Sequence, residues 1–227
     1  MSDQQKRRAG EAAALRVEAG MVVGLGTGST AAWFVKALAG RGLTGLRCVP
    51  TSEATADLAR DLGLTLSTLD DTPRIDLTVD GADEIGLGLA LIKGGGAALL
   101  REKLVWEASA RCIVIADAAK VVPVLGAFAL PIEVVAFGHK TTANRIADVL
   151  QDHDIAMPAR LRTAERGVVR TDGGNVIYDA RCGAIHDPVR LADDLKLITG
   201  VVEHGLFLDL ADEAIIGGDD GVDSLNP

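Results

Sequence analysis

The stretch Met21–Gly42, MVVGLGTGSTAAWFVKALAGRG, decides the fold class. It opens on a short apolar run, passes Gly24, Gly26 and Gly28, and then places Trp33, Phe34, Ala37 and Leu38 at helical spacing. An apolar run of that length bounded by glycine reads as a buried strand, and the recurrence every three or four residues reads as a helix with one apolar stripe. The stretch is therefore a strand-loop-helix unit.

Working outward, the same unit repeats. Residues 4–18 read as an amphipathic helix carrying Ala12, Leu15 and Val17 among charges and closed by Gly20. LRCVP (46–50) reads as a strand, SEATADLARDLG (52–63) as a helix ending in a glycine suited to its C-terminus, and LTLSTL (64–69) as a strand. IDLTVD (75–80) is a further strand, LALIKGGG (89–96) leads into the helix AALLREKLVWEASA (97–110), and RCIVIAD (111–117) is the next strand. Strands that are apolar on both faces and alternate with helices imply a mostly parallel sheet covered on both sides.

Near Leu130 the rhythm changes. PIEVVAF reads as strand, TTANRIADVLQ as helix, ARLRTA as strand, NVIYDAR as strand after the turn residues TDGGN, DPVRLADDLKLITG as helix and VVEHGLF as strand. That β-α-β-β-α-β order is the ferredoxin-like arrangement. AIIGG (214–218) then supplies a short strand that can return to the first sheet. The expectation is an α/β protein: an open, mostly parallel Rossmann-like sheet over residues 1–129 and 206–227, with a smaller ferredoxin-like α+β domain inserted at 130–205.

Composition agrees with an α/β enzyme and excludes several function classes. With 227 residues, 48% of them hydrophobic, the chain can bury a substantial core; aromatics are only 3%, so that core must be aliphatic. The net charge of −9, with no long basic run beyond Lys6, Arg7 and Arg8, argues against nucleic acid and anionic membranes as partners. MSDQQKRR lacks the apolar core of a signal peptide, and no run approaches the length of a membrane span, so a soluble cytoplasmic protein is expected. Cys48, Cys112 and Cys182 form no CxxC and read as reduced, largely buried thiols. The four histidines show no metal-site spacing.

Three loops that follow strands carry chemistry-bearing residues, and in open α/β sheets ligands bind outside the carboxyl ends of strands. GLGTGSTA (24–31) combines glycines with Ser29 and Thr30 at a helix start, which suits a phosphate; the same residue types also make a plain helix cap. It is neither a dinucleotide fingerprint, since Ser29 stands where the third glycine would be, nor a Walker A loop, since no GK[ST] follows. VDGADEI (79–85) gathers Asp80, Asp83 and Glu84 at a strand end, with Gly81 permitting a sharp turn. Each acid can cap; Asp80 and Asp83 can also hold sugar hydroxyls, bind Mg²⁺ or move a proton. IKGGGAALLREK (92–103) sets three glycines between strand and helix, which close approach of backbone N–H groups to a ligand oxygen explains better than packing. Lys93 stands at its mouth; Glu102 lies within the helix, where a solvated face is the ordinary place for a charge.

Taken together and in order, GLGTGSTA, DGADEI, KGGGAALLREK, DAAK and VEHGLF closely resemble the ribose-5-phosphate isomerases of type A, and the likeness runs along nearly the whole chain. The resemblance implies that Thr27, Gly28, Ser29 and Thr30 hold the sugar phosphate or neighbouring hydroxyls. It places Asp80, Gly81, Ala82 and Asp83 in a second substrate loop, Lys93 with Gly94, Gly95 and Gly96 in a third, and Lys120 as a late contact. Glu102 matches the general base, and Lys6 matches an N-terminal lysine contact, with Arg7 and Arg8 adjacent. Ala119 stands where the family often has serine. The implied reaction converts D-ribose 5-phosphate to D-ribulose 5-phosphate through an enediolate, with no metal and no organic cofactor, in a homodimer or homotetramer.

Related folds also serve sugar-phosphate deaminases and sugar-responsive repressors. No helix-turn-helix or basic face precedes the sheet, and the histidine nearest in sequence to the acidic loop is His139. A Mg²⁺-dependent phosphatase using Asp80 and Asp83 is a third class, separable by EDTA.

Overall fold

A computed structural model describes residues 3–165 and 167–227. Met1 and Ser2, the first residues of the segment read against a signal peptide, lie outside the described residues. The chain divides into two compact units. One comprises the chain through Ala82, Arg101–Val121 and Asp209–Pro227; the other comprises Asp83–Leu100 and Val122–Leu208. The second unit thus takes in residues 83–100, 122–129 and 206–208, which the sequence pattern places with the first sheet.

Helix α1 (Asp3–Ala14) opens the first unit. Its buried face is Ala9, Gly10, Ala13 and Ala14, small residues that let it cross α2 (Ser29–Gly40) closely. A Cβ on Gly10 would lie 2.7 Å from the Phe34 nitrogen. The helix stops short of the expected residue 18. Val17, fully buried, joins the core beyond the helix end, and the Arg41 guanidinium donates to the carbonyls of Ala14 and Val17 that the ended helix leaves over.

Strands β1 (Val22–Leu25), β2 (Arg47–Pro50) and β3 (Leu77–Gly81) follow, with α3 (Glu53–Asp61) after β2. Ser52 caps α3 by accepting the Thr55 N–H at 3.1 Å. LTLSTL does not become a strand: it makes a single bridge at Leu66 to Cys48, and Thr68 then turns the chain by accepting the Asp71 N–H. In the second unit β4 (Glu84–Ile85) and β5 (Leu91–Ile92) pair antiparallel. Helix α4 (Leu99–Glu107) leads to β6 (Cys112–Asp117) of the first sheet.

The ferredoxin-like part comprises β7 (Leu130–Val134), α5 (His139–Asp152), β8 (Arg160–Leu161), β9 (Thr163–Ala164), β10 (Gly167–Val168), β11 (Val176–Ala180), α6 (Pro188–Lys196) and β12 (Val201–His204). Strand order β12-β7-β11-β8, with every neighbour antiparallel, is that of a split βαβ unit. The strand expected over ARLRTA breaks at Arg162, because β8 pairs with β11 whereas β9 turns away to pair with β10. VVEHGLF breaks at Gly205 for a similar reason. β12 stays in the four-stranded sheet and β13 (Leu206–Phe207) joins β5. Gly205 passes so near Lys93 that a Cβ would lie 2.2 Å from its carbonyl oxygen.

Two further strands, β14 (Glu213–Gly217) and β15 (Val222–Leu225), complete the first sheet in the order β15-β14-β6-β3-β1-β2. All but β15 run parallel; β15, unforeseen in the sequence, is an antiparallel edge. The chain moves from β1 outward to β2 and then returns to the other side of β1 at β3, so the strand order reverses between β1 and β3. That reversal opens a crevice at their carboxyl ends. Mostly aliphatic cores lie in each unit: Val23, Leu25, Val79, Ile113 and Ile115 around Phe34 in the first; Leu130, Ile132, Ile146, Leu150 and Leu191 around Tyr178 in the second. The molecule is an α/β protein with a mostly parallel Rossmann-like sheet and a smaller ferredoxin-like unit.

Candidate active site

The residues singled out in the sequence fall into two sets, one in each unit. In the first, the loops after β1 and β3 meet at the reversal. Asp80, fully buried, accepts the Thr27 N–H at 3.0 Å and its neighbour Gly81's N–H at 2.7 Å on the same oxygen, Oδ1. Gly26 must be glycine, since a Cβ would lie 2.1 Å from that oxygen. Gly81 is not the expected sharp turn; it extends β3 and pairs with Ile115.

Thr27 is held from the other side by hydroxyls. Its Oγ1 lies 2.7 Å from Thr51 Oγ1, 2.8 Å from Ser52 Oγ and 3.2 Å from Thr55 Oγ1, and these three residues are buried. Sequence reasoning passed over this cluster; TSEAT reads as a helix cap, which Ser52 also is. Gly28, at φ +111°, occupies the N-cap of α2, and no side chain caps that helix. The plain-cap reading of Ser29 and Thr30 therefore gives way: the first turn of α2 keeps its N–H groups and helix dipole without a side-chain cap, an arrangement suited to an anion.

Lys6 Nζ reaches Ser29 Oγ at 2.9 Å. Arg7 pairs with Glu11, and Arg8 donates to the carbonyls of Gly218 and Asp219, so of the three cations Lys6 is the one bonded to the β1 loop. Lys120 ends a single 3₁₀ turn after β6, begun by Asp117, whose Oδ1 accepts the Ala119 N–H.

Glu102 lies on α4 and is only 3% exposed, contrary to the solvated face that a helical charge ordinarily takes. Leu99, Glu102, Val105 and Trp106 share one helix face by their spacing, and all four are buried. Val105 packs with Val22, Val49 and Ile75. Lys103, 8% exposed, is buried on the same face. A glutamate and a lysine among Leu99, Val105 and Trp106 are the local signal that marks the position, because an ionisable group there is costly unless it has work to do.

In the second unit, Asp83 accepts the Gly95 N–H at 2.8 Å on Oδ2 and donates its own N–H to Ile92 O. Lys93 is 2% exposed, with Nζ 5.3 Å from the centre of the Phe207 ring, a cation-π contact. Gly94 holds φ +104°, where a side chain would also press on Leu99 and Pro131. Glu84, read as a cap, is buried and accepts N–H groups of Gly126 and Phe128, so it holds a loop in place. Among the described residues, no group of three or more His, Cys, Asp and Glu is placed to hold a metal ion.

The model of the family ribose 5-phosphate isomerase A (phosphoriboisomerase A) matches residues 47–221. The chain belongs to that family. A ribose-5-phosphate isomerase A of Caulobacter vibrioides is 70% identical over 226 residues, covering 100% of this chain and 99% of the relative. Among solved structures, ribose 5-phosphate isomerase from Plasmodium falciparum superposes with a TM-score of 0.93 at 36% identity, covering 100% of this chain and 99% of that one. A D-ribose-5-phosphate isomerase in complex with phospho-erythronic acid superposes with a TM-score of 0.93 at 38% identity over 100% of both chains.

Proposed function

We infer that this chain interconverts D-ribose 5-phosphate and D-ribulose 5-phosphate through an enediolate, in the non-oxidative branch of the pentose phosphate pathway. Family membership along the whole chain supports the activity. The observation that carries the chemistry is the burial of Glu102 on the inner face of α4, beside Val105 and Trp106, which fits a base that must reach carbon.

The open-chain aldose presents a carbonyl at C1 and a hydrogen on C2. Glu102 takes the C2 proton, the electron pair enters a C1–C2 double bond, and O1 takes the negative charge. The Lys93 ammonium and N–H groups of the Gly94–Gly96 loop, apart from that of Gly95, which donates to Asp83, receive that oxyanion. Glu102 returns the proton to C1 while the O2 proton passes to O1, which leaves the ketose and restores the carboxylate. Thr27, Gly28, Ser29 and Thr30, with Lys6 and Lys120, hold the phosphate, and this remote binding energy is realised in the transition state. The related isomerase solved with phospho-erythronic acid holds a ligand that carries a carboxyl and a phosphate group, and an enediolate phosphate likewise pairs an oxyanion with a phosphate.

The hydrogen bonds suggest how the two aspartates divide the work. Asp80 ties the loops after β1 and β3 together through the N–H groups of Thr27 and Gly81, and Ala82 continues that substrate loop. Asp83 has one oxygen on Gly95 and, among the described residues, none on Oδ1, so it is the acid we assign to ring opening and to proton transfer between O2 and O1.

Assembly as a homodimer or homotetramer is part of the same reading. Phe137 and Leu197 are 94% and 83% exposed, and Val135, also exposed, bonds to Gly200 O, which places a solvent-facing apolar group at one end of the four-stranded sheet. Phe137→Asp should lower the mass seen by light scattering; an unchanged mass removes this face from the interface. Among the described residues no helix is long and apolar enough to cross a membrane; a cytoplasmic location is part of the same proposal, from the family's place in sugar metabolism.

Following ribulose 5-phosphate formation from ribose 5-phosphate by the purified chain in EDTA tests the function. Absence of product both with and without EDTA sinks it, and release of inorganic phosphate that EDTA abolishes favours the Mg²⁺-dependent phosphatase.

A further inference from the structure

Three consecutive glycines give the Gly94–Gly96 loop its close approach and deprive it of stiffness, since glycine has the widest backbone freedom. Something must hold the loop's N–H groups in aim. Arg162, between β8 and β9, donates from Nη1 to Gly94 O at 2.9 Å and Gly95 O at 3.1 Å. Its remaining nitrogens form a fork on Asp179 of β11: Nε lies 2.9 Å from Oδ2, and Nη2 donates to Oδ1. The two side chains are 15% and 26% exposed. The Arg162 backbone is itself anchored, donating to Ile177 O at 2.8 Å and accepting the Val169 N–H at 3.1 Å.

A trans peptide is planar, so its C=O and the N–H of the next residue point in opposite directions. Fixing Gly94 O fixes the Gly95 N–H, which donates to Asp83. Fixing Gly95 O fixes the Gly96 N–H, which makes no hydrogen bond among the described residues and belongs to an exposed glycine. A guanidinium on both carbonyl oxygens also polarises the two peptides, which strengthens their N–H groups as donors.

We propose that Arg162, braced by Asp179, is a positioning residue for the isomerisation: it holds the Gly95 N–H on Asp83 and aims and polarises the Gly96 N–H at the developing oxyanion, and this is a catalytic contribution of the ferredoxin-like unit. The inference rests on the glycine loop serving as an oxyanion donor, as proposed above. Its effect belongs in kcat, because the oxyanion is formed only as the reaction proceeds. Misaimed donors cost on the order of 10- to 100-fold, less than the outright loss of an oxyanion-hole donor.

The experiment measures kcat and KM for ribose 5-phosphate with the full chain, its Arg162→Ala variant and its Arg162→Lys variant, well below each melting temperature. Arg162→Ala should lose about 10- to 100-fold in kcat with KM within about 3-fold. Guanidinium at tens of millimolar should restore part of that kcat, and sodium chloride at equal ionic strength should not. Arg162→Lys covers the case in which the alanine variant does not fold. One ammonium cannot span Asp179 and two carbonyls at once, so kcat should fall about 10-fold. Unchanged kcat in either folded variant overturns the proposal, as does a loss in Arg162→Ala that guanidinium leaves untouched. A wild-type chain without isomerase activity removes the functional reading itself; an active wild type with unaffected variants removes only the role of Arg162.

Discussion

Asp80 Oδ1 accepts the Thr27 N–H at 3.0 Å, so the loop that ends β3 holds the loop that ends β1. The bond joins residues 53 apart in the chain at the point where the strand order reverses. If Asp80 acts mainly as this tie, Asp80→Asn, which keeps one carbonyl oxygen, should bind substrate better than Asp80→Ala. For the alanine variant a stability loss of about 1–3 kcal/mol is expected from the two orphaned N–H groups, with a raised KM. Equal KM values in the two variants would argue that the charge, and not the tie, matters.

Glu102→Gln keeps the shape of the side chain in the α4 stripe and removes the base. Turnover should fall by at least about 10³-fold, toward the upper range for a positioned acid-base group, while titration calorimetry still detects substrate binding. Near-normal turnover in this variant would move the base elsewhere.

Lys93 is buried against Phe207, so its ammonium is screened little by solvent. Lys93→Ala should lose about 10²- to 10³-fold in kcat and change KM little, as removal of a group acting on developing charge does. A rise in KM at constant kcat would instead assign Lys93 to the phosphate.

Cys48 is fully buried in the first core, and burial raises its thiol from 9.0 to about 11. The unfolded chain then gives up this proton near pH 9 while the folded chain keeps it. Stability from this group is complete below about pH 9 and declines as the pH rises toward 11, by about 2–3 kcal/mol in all. Urea titrations at about pH 8 and pH 10.5 should show a smaller alkaline loss for Cys48→Ala than for the wild type; parallel losses would contradict it.

Much of this molecule is legible in one sequence because strand and helix periodicities are local. MVVGLG followed by the Trp33, Phe34, Ala37, Leu38 spacing is enough for a strand-loop-helix unit, and its repetition is enough for a parallel sheet. Local patterns fail where a short segment has two partners. ARLRTA breaks at Arg162 and VVEHGLF at Gly205 because each half pairs with a different strand, and no residue within those segments records which.

The candidate site divides along the same line. Glycine loops and acids at strand ends follow from the sequence, since backbone approach requires glycine and proton transfer requires carboxylates, and the order of those motifs along the chain was enough for the family resemblance. Only the tertiary structure decides what each group faces. It buries Glu102 beside Val105 and Trp106, directs Lys6 and not Arg7 or Arg8 to Ser29, turns Glu84 onto the loop at Gly126, and brings Arg162 to glycine carbonyls 67 and 68 positions away. These are long-range contacts made by flexible side chains, and neither composition nor spacing carries their direction.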